Sequence, residues 1–161
     1  MTVVNGLRLA YRGFVTGLAA GYAWLAVVML AGALLERDPL APLRPLVALL
    51  APGHTDAATA FVLGFALVQL VAAGLGMLFA YFFGRFFTIR TTVALAAPSF
   101  ALLAWALLVA MLGVGAGEGV EPALAPLLAT LVYGALLGAG LPLRGDVLRA
   151  PTTNADGSLA G

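Results

Sequence analysis

Long runs of apolar residues alternate along this chain with short segments that hold all of its charge. Four runs stand out, at residues 13–35, 59–84, 93–113 and 123–143, and none of them carries a charged side chain. At about 1.5 Å per helical residue each is long enough to cross a hydrocarbon core roughly 30 Å thick. The runs lack the in-and-out alternation of short barrel strands, so helices are predicted. The expected fold class is all-α, an integral membrane four-helix bundle. A segment at 1–12 leads into the four-span domain at 13–143, and a tail follows at 144–161.

Composition supports this reading. Of 161 residues 63% are hydrophobic and 9% charged, against about 25% charged in a typical soluble domain. Arg8 and Arg12 before the first run, with Ala31-Gly-Ala33 near its end, imitate a signal peptide. The apolar run is too long for a signal core, so it is read as a retained span. With no cysteine in the chain, disulfides, thiolate metal sites and covalent haem attachment are excluded.

The basic residues are all arginines and sort by loop. Arg8, Arg12, Arg85, Arg90, Arg144 and Arg149 fall on one side of the four runs, Arg37 and Arg44 on the other, together with Glu36, Asp38, Asp56, Glu118 and Glu121. The positive-inside bias places both termini in the cytoplasm and the loops 36–58 and 114–122 outside. The expected location is the bacterial cytoplasmic (inner) membrane, multi-pass. Within the loop at 36–58, Pro39, Pro42 and Pro45 precede an apolar stretch at 46–51 that ends in Pro52-Gly53. That stretch reads as a short interfacial or capping helix, with a re-entrant segment or docking surface as the alternative. The tail has the composition of a disordered end.

Glycine recurs at four-residue intervals in runs that must be helical, where in water each would cost about 1 kcal/mol relative to alanine. Inside a bilayer, burying leucine against leucine gains little, and helices associate where small residues let backbones approach. Gly13, Gly17 and Gly21 form one such stripe. Ala72, Gly76, Ala80 and Gly84 form a second, and Gly134 and Gly138 a third. Packing within one chain explains most of this glycine; packing between chains is the alternative.

The inventory of reactive groups in the spans is sparse. No ionisable residue of the carboxylate, histidine, lysine or arginine kind lies in a run, which argues against proton-coupled transport and voltage sensing. His54 with Asp56 is too small a set for zinc or haem, and Ser99 has no activating base within a span. No enzyme, cofactor, metal site or nucleic-acid partner is expected. Gln69, near the middle of its run, must find a partner for its amide; an interhelical bond to a hydroxyl or to a carbonyl freed by Pro98 is expected. Pro98 itself either kinks the third span or sets its effective start. The cluster at Phe79 to Phe87 reads as an aromatic anchor at the headgroup level. Its alternative is a lipid or quinone contact formed by Gln69, Tyr81, Phe82, Phe83, Arg85 and Arg90. The arginine belt attracts anionic lipid.

Gly17-Leu-Ala-Ala-Gly21, Gly74-Leu-Gly-Met-Leu-Phe-Ala-Tyr81 and Thr130-Leu-Val-Tyr-Gly-Ala-Leu-Leu-Gly138 resemble the glycine-rich spans of a group of uncharacterised small four-span bacterial membrane proteins. The resemblance covers about half the chain and implies the same four-span architecture. Thr130 stands where the group's last-span pattern has histidine. The expected function is that of a non-catalytic accessory subunit of a larger bacterial membrane complex, for example a respiratory or photosynthetic electron-transport complex. It would work through helix packing and through contacts with other integral membrane subunits and bound lipids. Two alternatives are a small homo-oligomeric channel or carrier for an uncharged or lipidic solute, and a lipid or quinone binding module.

Overall fold

The computed structural model describes residues 3–53, 56–84, 90–112 and 121–141. Five helices follow in order: α1 (Val3–Leu35), α2 (Arg44–Leu50), α3 (Ala57–Phe83), α4 (Arg90–Leu112) and α5 (Glu121–Gly140). Among the described residues there is no strand. Three helices are long and apolar enough to cross a bilayer, over Gly6–Leu35, Ala57–Phe83 and Thr92–Met111. The fourth apolar helix is shorter, at Leu124–Gly140. It stops before residue 143 because Gly138 and Gly140 weaken its last turn and Pro142 follows. At the other end of the chain α1 begins well before residue 13. No proline lies between Val3 and Arg12 and Gly6 is the only glycine there, so the helix continues upstream, with Arg8 and Arg12 on its early turns.

The chain turns sharply after α1. Arg37 takes a left-handed conformation with φ 57°, a geometry that usually selects glycine. It lets the Asp38 N–H donate to the Gly32 carbonyl at 3.3 Å. Asp38 then organises the connection: its Oδ1 accepts from the Leu40 N–H at 3.0 Å, and its Oδ2 pairs with Arg44 Nη2 at 2.8 Å. Helix α2 follows, with Leu43 and Val47 buried. Gly64 of α3 makes room for Leu43, since a Cβ at that glycine would stand 3.0 Å from the leucine Cβ. The stretch read as a headgroup or capping helix is thus seated on α3. Asp56 then caps α3, accepting from the Thr59 N–H at 2.9 Å.

Helix α1 packs against both α3 and α5, α5 packs in turn against α4, and α3 meets α4 only slightly. The α1–α3 contact is close enough to exclude side chains. A Cβ on Gly17 would lie 2.5 Å from the Ala72 carbonyl oxygen and 3.1 Å from the Gly76 Cα, and Gly13 likewise faces Gly76 and Ala80. On α5, a Cβ at Gly134 would stand 2.5 Å from the Pro98 Cα, and Gly138 rests near Ala97 and Val93. Pro98 lies inside a continuous α4, and Pro126 inside α5, so Pro98 does not define the start of its helix. Gly134 lies directly against the Pro98 backbone, a contact that any Cβ at position 134 would block.

Candidate functional site

Because α3 and α4 diverge while both are tied to the α1–α5 pair, a cavity of about 290 Å³ opens between them. Leu67, Val71 and Leu75 of α3 form one wall and Ala101, Trp105 and Val109 of α4 the opposite one. Trp24 and Val28 of α1 and Pro126, Thr130 and Tyr133 of α5 form the back, and Pro42 and Leu46 close one end beside α2. One turn beyond Leu75, outside the cavity lining, Phe100 of α4 meets Phe79 and Phe83 of α3, with ring centroids 5.2 and 5.7 Å apart. These aromatic pairs are where the two diverging helices touch.

The polar side chains on the back wall bond to the bundle itself. The Trp24 indole N–H donates to Thr130 Oγ1 at 3.2 Å, tying α1 to α5. The Thr130 hydroxyl in turn donates to the Pro126 carbonyl at 2.7 Å. The buried Tyr133 hydroxyl donates to the Ala72 carbonyl at 2.7 Å, a cross-link from α5 to α3. Each bond meets a need that an apolar setting makes acute, because a polar group left without a partner there loses its hydration for nothing. What remains facing the cavity is almost entirely hydrocarbon.

The residues singled out by sequence do not gather at one place. Gly13, Gly17, Gly21 and Gly76 lie along the α1–α3 contact, and Gly134 and Gly138 on the face of α5 toward α4. Gly84 follows α3 beside Leu9. Tyr81, Phe82 and Phe83 are exposed at the end of α3, whereas Phe79 is fully buried between α3 and α4. Gln69 is 12 residues before Tyr81 in the same helix, about 18 Å away. Arg85, His54, Phe86, Phe87 and the tail lie outside the described residues. Arg90 begins α4, with its side chain likewise outside them.

Gln69 corrects the expectation made for it. Its side chain is buried, yet neither Oε1 nor Nε2 has a hydrogen-bond partner among the described residues. It points toward α1, where a Cβ at Gly21 would stand 2.9 Å from Oε1. The carbonyl freed by Pro98 belongs to α4, which α3 scarcely meets, and the nearby backbone of α1 is engaged in its own helix.

Two cavity residues escaped the sequence reading, Trp24 and Trp105. A signal was present: tryptophan favours the membrane–water interface, whereas both of these stand near the centres of the runs 13–35 and 93–113. No group of three or more histidine, cysteine, aspartate or glutamate side chains able to hold a metal ion occurs among the described residues. No family model, curated protein or solved structure matches the chain.

Proposed function

We propose that this chain is a non-catalytic integral membrane protein that holds one lipophilic molecule in the cavity between α3 and α4. On this reading α1, α3, α4 and α5 cross the bacterial cytoplasmic membrane with both termini inside, an orientation supported by the sorting of the arginines. The observation that carries the reading is the cavity itself. It lies within the bundle and is walled by every helix, and the polar atoms at its back are engaged elsewhere. A recess lined almost wholly by hydrocarbon favours an apolar guest over a polar one. A protein that holds a lipophile without reactive groups around it suits an accessory role beside other membrane subunits.

The competing channel reading draws its interface from glycines shared between chains. Gly13, Gly17 and Gly76 are instead covered by the chain's own helices, which weighs toward the binding role.

The test is to purify the protein in mild detergent, extract it with organic solvent and quantify what was bound. One class of lipophile at about one per chain is expected, reduced roughly tenfold when Val71→Phe narrows the cavity. Equal recovery from wild type and variant, with thermal melting unchanged, would count against the cavity as the binding place.

A further inference from the structure

Resting on that reading, we infer that the occupant is a single acyl chain, admitted sideways through the gap between α3 and α4 and held tail-inward with its head outside the cavity. Size comes first. A cavity of about 150 Å³ accommodates one benzene, so 290 Å³ holds roughly a dozen carbons, one chain segment and not two. It lies at the lower edge of the ~300–1,000 Å³ range of small-molecule pockets.

Polarity excludes most other guests. Trp24, Thr130 and Tyr133 all direct their donor hydrogens to partners within the bundle. Trp105 is the remaining indole on the wall, and its N–H donates to no described residue, so the wall supplies one hydrogen bond to a ligand oxygen at most. A quinone ring carries two opposed carbonyls and would bury one of them unpaired, which costs about 1–3 kcal/mol. An acyl chain presents a single carboxyl or ester group, which the head end keeps at the mouth.

The surroundings of the cavity set the route. Pro42 and Leu46 cover one end, and α2 is anchored there by buried Leu43 and Val47 and by the Arg44–Asp38 pair. One turn beyond Leu75, Phe79 of α3 meets Phe100 of α4 with ring centroids 5.2 Å apart, joining the two helices there. Val71 of α3 and Val109 of α4 both line the cavity, and their two helices meet only slightly, so the route runs between these helices.

Trp24 and Trp105 are the only tryptophans in the chain and both line the cavity, so intrinsic emission reports on this site. The purified full chain is titrated in detergent with a dibrominated stearic acid, and in parallel with a phosphatidylcholine carrying dibrominated acyl chains. Bromine quenches indole on contact. Saturable quenching at about one chain per protein is expected, competed by unbrominated stearate and weakened roughly tenfold by Val71→Phe or, from the opposite wall, by Val109→Phe. Quenching by the free acid alone identifies a fatty acid as the source, and quenching by both identifies a lipid chain; either supports the proposal. Non-saturable quenching, unchanged in both variants, overturns it. Saturable quenching by a short-tailed quinone with none by either brominated chain overturns the acyl assignment while leaving the cavity a lipophile site. No response to any probe, with nothing recovered by solvent extraction, removes the underlying binding reading too.

Discussion

Helix α3 presents two faces with opposite outcomes, and comparing them shows how this bundle makes both a tight contact and an opening. Toward α1 it offers Ala72, Ala73, Gly76 and Ala80, and the two backbones come within side-chain-excluding distance. Toward α4 it offers Leu67, Val71 and Leu75, and there the helices stand apart around a cavity. In a lipid environment large apolar side chains gain little by leaving lipid for one another, so only the small-residue face produces close packing. Tyr133 bridges the two regions, since its hydroxyl reaches from α5 past the cavity to the Ala72 carbonyl.

The largest expected effect is on the tight face. Gly17→Leu inserts a side chain where a first carbon already collides with the α3 backbone. It should destabilise the bundle by about 3 kcal/mol or more, read as a lowered midpoint in a denaturing-detergent titration. An unaltered midpoint would show that the α1–α3 contact is not the strong one. Gly74→Leu is the matched control, because a Cβ at Gly74 meets nothing within 4 Å; it should shift stability by no more than about 0.5 kcal/mol.

Next in size is Gln69→Leu. Replacing a buried amide that has no partner among the described residues by a hydrocarbon of similar size should stabilise the fold by about 1–3 kcal/mol. A loss of stability in the same titration would mean that the amide is satisfied in the working protein. Tyr133→Phe removes one hydrogen bond between helices and should cost about 1 kcal/mol, with a lipophile still recovered on solvent extraction. If that recovery falls with the bond, the α5–α3 tie sets the shape of the cavity as well as the stability of the bundle.

Much of the fold was legible because hydropathy and glycine placement are local properties. Uncharged runs of the right length mark the helices, and the four-residue spacing at Gly13, Gly17 and Gly21 marks a face. The boundaries were less legible: helices follow breakers, not the edges of hydropathy, so α1 runs back to Val3 and α5 halts at Gly140. Gln69 was recognised as a group in need of a partner, but its direction depends on which helix α3 meets. The emphasis on Phe79 to Phe87 missed the cavity because aromatic density is visible in one dimension and an empty volume is not.

Helices at the four apolar runs follow from composition and run length, since an apolar helix of that size needs no neighbour to identify it, although only three of the four are long enough to cross a bilayer and the last is shorter. The pairing of the stripes was settled in three dimensions, with Gly17 against Ala72 and Gly76, and Gly134 against Pro98. So was the divergence of α3 from α4 that brings Trp24, Trp105, Thr130 and Tyr133 to one cavity. Those four residues lie on three helices, α1 far along the chain from α4 and α5, and a volume between helices depends on how they are placed, which no spacing within a single helix encodes.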